Sequence, residues 1–425
     1  MSLTRKVLTG LLLASLPLLA PQAASTSWSL EKVVEISRHG VRPPTEGNIK
    51  TIQEGTGREW PTWLTRYGEL TGHGYAAAVL KGQYEGSYLR ENALLTGACP
   101  ASGEVFVWAS PLQRTQETAM ALMDGVFPGC GITIRGAASE EQDTLFHADD
   151  AGVTLDAEQV RADLQKAMQN KTAAQLQTGF KPDIERLQRA VCQTDNKPCP
   201  AFSAQWEVKD GKKGYPVLSG PAALANMAET IRLAYSNNAP LSQVAFGNAR
   251  SAADVGALMS LLTVNYDFTN DLPYVARRGA SNLLNQIALS LSTQPQPDAP
   301  PAAKWLLFVA HDTNIAQLRT LLGFTWKQAE YPRGNIPPAG SLIFERWRNN
   351  QSGERFLRIY FQAQSLDQIR ALTPLDSGNP PLRSEFTTDG CQQTEVGTLC
   401  PYDAALQRLN DAIDRTALLP VSYSR

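Results

Sequence analysis

The segment EKVVEISRHGVRPPT, from Glu31 to Thr45, decides how the chain is read. Glu31 to Ile36 has the length and β-branched content of a short strand. Directly after it come Arg38, His39, Gly40 and Arg42, so two guanidinium groups and an imidazole stand at a strand end. The arrangement recurs twice. Glu104 to Ala109 (EVFVWA) is an apolar run of strand length, followed by SPLQRT from Ser110 to Thr115. There Ser110 reads as a helix N-cap, Pro111 as the first helical residue and Gln113 as the partner in a capping box. Arg114 then falls in the first turn of a helix that runs to Met123. Trp305 to Ala310 (WLLFVA) leads into His311-Asp312-Thr313-Asn314, and Ile315 to Leu322 reads as a helix stopped by Gly323.

Continuous apolar strands fit a sheet covered on both faces. In α/β sheets, ligands bind beyond the carboxyl ends of the strands, and helix N-termini there favour anions. Arg38, Arg42, Arg114, His39 and His311 are therefore expected to converge on one crevice. The fitting ligand is a compact dianion such as phosphate, which guanidinium groups bind in a bidentate fashion. Two imidazoles and one carboxylate suit phosphoryl transfer through a covalent histidine intermediate. His39 is the expected nucleophile, with Gly40 letting the backbone approach the phosphate closely. The arginines and His311 are expected to stabilise charge on the transferring oxygens. Asp312 is the expected acid, protonating the leaving alkoxide, and then the base that activates water. A helix N-terminus and neighbouring cations lower the pKa of Asp312, while bound phosphate raises it, so best activity is expected below neutral pH. A metal-dependent hydrolase built on His311-Asp312 needs further spaced ligands, and none of the four histidines supplies them. Hence no metal or cofactor is expected. His73 and His147, each alone in its stretch, read as structural.

Composition narrows the class. The 425 residues carry 39 basic and 41 acidic side chains, are 43% hydrophobic and only 19% charged. That is too apolar and too nearly neutral for a disordered chain. No basic run suggests a nucleic-acid partner. Only the N-terminus approaches the length of a membrane span. Arg5 and Lys6 before the apolar run Val7 to Ala20, then Pro21 to Ser25, describe a secretory signal over residues 1–24. The mature protein is expected to be periplasmic or secreted, free of the membrane and monomeric. In an oxidising compartment the six cysteines suggest disulfides. Sequence alone does not choose among their 15 pairings. Nearest neighbours would give Cys99–Cys130, Cys192–Cys199 and Cys391–Cys400.

Between the motifs, Val160, Leu164 and Met168, then Ile184, Leu187 and Val191, have helical spacing. Pro221 to Tyr235 is a further amphipathic helix, in which Met227 suits either core packing or a pocket wall. The expected fold class is α/β: a mixed or parallel sheet core with helices on both faces, from 25–135 and 266–425, and an inserted, mostly helical domain over 136–265. The crevice should lie between the two.

With these residues in view, RHGVRPPT at 38–45, SPLQRT at 110–115 and HDTN at 311–314 resemble the histidine acid phosphatases. The likeness is to the bacterial periplasmic branch that contains phytases and glucose-1-phosphatase. PPAGSLIFERW at 337–347 and the cysteine layout resemble that branch as well. The resemblance implies that His39 is phosphorylated, that Arg38, Arg42, Arg114 and His311 bind phosphate, and that Asp312 donates the proton. It also implies substrate contacts at Thr45 and Met227, and one from Arg277 or Arg278. HDTN is similar to the phytases, whereas glucose-1-phosphatases have Ser where this chain has Thr313. Glu46 departs from the lysine of some phytases. The implied partner is a small phosphorylated substrate, myo-inositol hexakisphosphate (phytate). A glucose-1-phosphatase or broad sugar-phosphate phosphatase is the alternative.

Overall fold

In the computed structural model, residues 27–193 and 197–423 are described. The expected signal over 1–24 lies outside them. The strands, in chain order, are β1 (Trp28–Arg38), β2 (Val105–Ala109), β3 (Arg135–Gly136), β4 (Glu207–Asp210), β5 (Pro216–Ser219), β6 (Trp305–Ala310), β7 (Ser341–Asn349), β8 (Arg355–Ala363), β9 (Leu382–Glu385), β10 (Gln392–Thr394) and β11 (Gly397–Pro401). The first part of the chain adds helices α1 (Glu46–Thr56), α2 (Gly72–Glu91), α3 (Gln113–Val126), α4 (Ala157–Ala167), α5 (Ala173–Gly179), α6 (Lys181–Val191) and α7 (Pro200–Ser203). The rest adds α8 (Pro221–Ser236), α9 (Ala252–Ala257), α10 (Ser260–Asp267), α11 (Pro273–Leu291), α12 (Asp312–Leu322), α13 (Leu366–Ala371) and α14 (Tyr402–Ala412).

One sheet runs in the order β10-β11-β8-β7-β1-β6-β2-β3, with β9 against β8. It is mixed: β1, β6, β2 and β3 pair in parallel, and β7 onward adds an antiparallel flank. Arg38 pairs with Ala310 and Ala109 with Val309, so the three motif-bearing strands end level.

Side chains alternate between two apolar layers, as the strand pleat dictates. Val34, Ile36, Phe106, Trp108, Leu306 and Phe308 face α11, α12 and α14. Val33, Val107, Ala109, Leu307 and Val309 face α2 and α3. Those two helices touch backbone to backbone. A Cβ on Gly82 would strike the Leu122 carbonyl, and one on Gly125 the Val79 carbonyl. Among these apolar contacts β1 buries Glu35, which accepts from Lys81 Nζ at 2.7 Å and Ser341 Oγ at 2.6 Å. The pairing satisfies charges that would otherwise be costly to bury.

A second apolar core gathers α4, α6, α8 and α10 through Val160, Leu164, Leu187, Leu224, Ile231 and Leu261. Ile49, Ile52 and Trp60, from α1 and the loop after it, belong to this core too, as does Leu366. Leu145 and Phe146, by contrast, pack on the sheet. Membership follows the buried face of each helix, not its place in sequence, so the two cores do not divide cleanly at 136 and 265. The three disulfides are the nearest-neighbour ones: Cys99–Cys130, Cys192–Cys199 and Cys391–Cys400.

Candidate active site

β1 ends at Arg38 and delivers His39 into a backbone clamp. The His39 N–H donates to Ala310 O, and its carbonyl accepts from Ala339 N, both at 3.0 Å. His39 Nδ1 lies 2.9 Å from Gly40 O. A carbonyl only accepts, so Nδ1 carries the hydrogen and Nε2 keeps its lone pair. Packing alone already requires a glycine at position 40. A Cβ there would lie 2.8 Å from Leu70 Cδ1 and 3.3 Å from Gly74 O, so its bareness lets the loop pack on the start of α2.

Arg38 is 1% exposed and fully engaged at its tip. Its Nη1 donates to Ile336 O and its Nη2 to Glu229 Oε1, each at 2.6 Å, while Asp312 Oδ2 is 3.7 Å from Nη2. Arg42 Nη1 donates to Pro43 O at 2.8 Å, and Arg114 Nη1 approaches Gly68 O at 3.4 Å. The Nε groups of Arg38, Arg42 and Arg114 are buried without a hydrogen-bond partner among the described residues. Such donors favour an anionic acceptor.

β6 delivers His311 as the N-cap of α12, with Asp312 its first residue. The His311 N–H donates to Asn314 Oδ1 at 3.1 Å, and its Nε2 is 3.0 Å from Ser110 Oγ. This contact overturns the expected cap. Ser110 still follows strand register, its N–H on Val309 O, so α3 starts only at Gln113, with Leu112 at its N-cap and no side-chain cap. The Gln113 side chain instead accepts from Leu70 N at 2.8 Å. Arg114 remains in the first helical turn.

The rings of His39 and His311 lie 5.7 Å apart. Burial, then Arg42, Arg38 and Arg114, hold the His39 pKa well below the ordinary imidazole value. Burial, then Arg114 and His147, do the same to His311. In both, the neutral ring is the favoured form. Burial would raise the pKa of Asp312, but Arg38, the Tyr266 hydroxyl that donates to its Oδ2, and Arg42 outweigh it and hold the carboxyl below the usual range. Burial, then Arg114 and Arg38, push Arg42 down to about 10.

Thr45 caps α1, accepting from Asn48 N at 3.3 Å, and flanks Gly68 together with Arg114. Met227 does not join the crevice. It is 0% exposed in the helical core, against Gly55 of α1, because its face of α8 is the apolar one. Arg277 and Arg278 bind the C-terminal segment instead. The first reaches the carbonyls of Asp411 and Ile413, the second Asp414 and Thr416. Sequence reading missed Glu229, Tyr266 and the contact of His147 with His311. Glu229 and Arg232 do leave a trace: an opposite-charge pair at i,i+3 inside an otherwise apolar helix. Tyr266 leaves none.

Comparison with known proteins agrees with this geometry. A family model described as "Histidine phosphatase superfamily (branch 2)" matches residues 29–362. Phytase AppA of Escherichia coli is 30% identical over 93% of this chain and 95% of its own. A glucose-1-phosphatase of Salmonella typhimurium is 28% identical over 92% and 95%. The crystal structure of Klebsiella sp. ASR1 phytase superposes with a TM-score of 0.88 at 48% identity, covering 94% of this chain and 99% of that one. The match spans the strand ends that carry His39, Arg114 and His311, and the chain belongs to the histidine phosphatase superfamily, branch 2, as a phosphatase.

Proposed function

We propose that this phosphatase is an exported phytase that works through a phosphohistidine. The observation that carries the reading is the pair of imidazoles, ring centroids 5.7 Å apart, among three arginines whose Nε donors are unpartnered. In the first step His39 Nε2 bonds to phosphorus as the phosphorus–ester oxygen bond breaks. Arg38, Arg42, Arg114 and His311 hold the equatorial oxygens, whose charge they balance. The protonated Asp312 gives its proton to the leaving alkoxide. Arg38 and Tyr266 disfavour that protonated state, and the negative charge of the bound ester restores it. In the second step water attacks phosphorus, Asp312 takes the water proton, and the nitrogen–phosphorus bond breaks to release inorganic phosphate.

The substrate reading follows the 48% identity to a phytase. The curated relatives include a glucose-1-phosphatase as well, which favours a sugar-phosphate reading as the second one. Acid quench after mixing with ³²P-labelled phytate should trap label on His39, and turnover by unlabelled protein would remove the covalent step. Turnover of phytate should exceed that of glucose 1-phosphate at acidic pH, and the reverse order would select the second reading.

A further inference from the structure

His147 was expected to be structural, yet it touches the site. Its ring meets that of His311 edge to face, centroids 5.1 Å apart, and its side chain is only 12% exposed. Nδ1 is 2.9 Å from Asp143 Oδ2, and Nε2 is 3.2 Å from Glu140 Oε2. Ionised carboxylates only accept hydrogen bonds, so both ring nitrogens carry hydrogen when both contacts are made. That form is the imidazolium. The loop that presents it is anchored on two sides. Asn314 Nδ2 of α12 donates to Phe146 O at 3.0 Å, and Asn282 Nδ2 of α11 donates to Thr144 O at 2.9 Å. Asp143 is itself 2% exposed and also accepts from Phe146 N at 3.2 Å.

We propose that His147 is a positioning residue of the phosphatase site: clamped as a cation between Glu140 and Asp143, it packs against His311, fixes that ring toward Ser110, and adds positive charge beside the ester-binding arginines. The charged and titratable groups around it are Glu140, Glu141, Asp143 and Asp150 from its own loop and His311 at the N-cap of α12. With its proton, His147 offsets the two clamping carboxylates and helps keep His311 neutral. Without it, one of the two N–H contacts is lost and unbalanced negative charge stands next to a site for anions.

The sign follows from the surroundings. Burial alone would lower the pKa of His147, but the hydrogen bond and charge of Asp143, then the charges of Glu140 and Asp150, outweigh it and raise it above the ordinary 6.5. The cation is therefore present on the acid side and is lost as pH rises through that raised value. His147 contributes to the alkaline limb of the activity profile.

The proposal rests on phosphoryl transfer at this site, so His39→Ala is assayed beside the test variants. Activity surviving in His39→Ala removes that premise and leaves the clamp itself untouched. The test is kcat and KM for p-nitrophenyl phosphate from pH 4 to 8 in the wild type, E140Q and H147Q. Melting temperatures and ¹⁵N-imidazole NMR accompany it. E140Q, at a half-exposed position, should move the alkaline limb of kcat/KM down by about half a pH unit, the scale of one solvent-screened ion pair. H147Q, folded by its melting curve, should lose roughly tenfold or more in kcat/KM on the acid side through misplacement of His311. NMR should find His147 protonated on both nitrogens at pH 6. Coincident limbs for wild type and E140Q, wild-type kcat/KM in folded H147Q, or a neutral His147 at pH 6 would each overturn the proposal.

Discussion

Glu229 on α8 accepts a hydrogen bond at 2.6 Å from Nη2 of Arg38, the residue directly before His39. The helical part of the molecule thereby orients an arginine presented by the sheet. Burial would raise the Glu229 pKa, but Arg232 and Arg38 outweigh it and keep the carboxylate ionised. Arg232 is fixed in turn by Asn335 Oδ1 at 2.7 Å.

Glu229→Ala should therefore free the Arg38 tip. A charged hydrogen bond contributes about 1.5–3 kcal/mol, so kcat/KM should fall by roughly ten- to hundredfold. Steady-state kinetics on p-nitrophenyl phosphate measure this. Unchanged kinetics would mean that Ile336 O and the fold alone orient Arg38.

Asp312→Asn should slow cleavage most for esters with poor leaving groups. An activated aryl phosphate needs little protonation of its leaving oxygen, whereas an inositol or sugar alkoxide needs it fully. Comparing p-nitrophenyl phosphate with phytate gives the ratio of losses. Equal losses on the two substrates would argue against a proton-donor role.

Folding stability should decline on the acid side because of His39. In the unfolded chain this residue takes up a proton near its ordinary 6.5, while in the folded site burial and the arginines keep the proton off. Below 6.5 the unfolded state binds more protons, so stability falls with pH at a slope on the order of 1.4 kcal/mol per unit. His39→Ala should flatten the melting-temperature profile between pH 6.5 and 4.5. A profile parallel to the wild type would show that His39 is protonated in the folded protein.

Gly125→Ala tests the helix contact instead of the chemistry. The added methyl meets the Val79 carbonyl. Overpacking of this kind costs about 1–3 kcal/mol, which a urea midpoint would report. An unshifted midpoint would mean that α2 and α3 can part without loss.

The sequence revealed what the backbone pattern carries. Trp305–Ala310 is a strand at the predicted bounds, because six apolar residues between a loop and a His-Asp pair leave few alternatives. His39, Arg114 and His311 were legible for the same reason: reactive side chains follow directly on buried strands. Glu229 left only the trace of its i,i+3 pairing with Arg232, and Tyr266 left none, because their roles exist only once the fold brings Arg38 and Asp312 to them. Met227 misled in the opposite sense. Glu229 of the same helix bonds Arg38, whereas Met227 packs in the helical core against Gly55. The Ser110 cap failed because a favourable local motif lost to continued pairing with β6.

The level ending of β1, β6 and β2 has a consequence for how such a protein can change over time. Each residue inserted into one of these strands would shift its reactive tip by about 3.3 Å and turn it to the opposite side of the pleat. The long span from Ser110 to Lys304 is held only where it brings Arg114, His147, Glu229 and Tyr266 to the site, and its other segments only have to connect those points between β2 and β6. The loops between these fixed points can therefore change in length while the lengths of the three strands stay fixed.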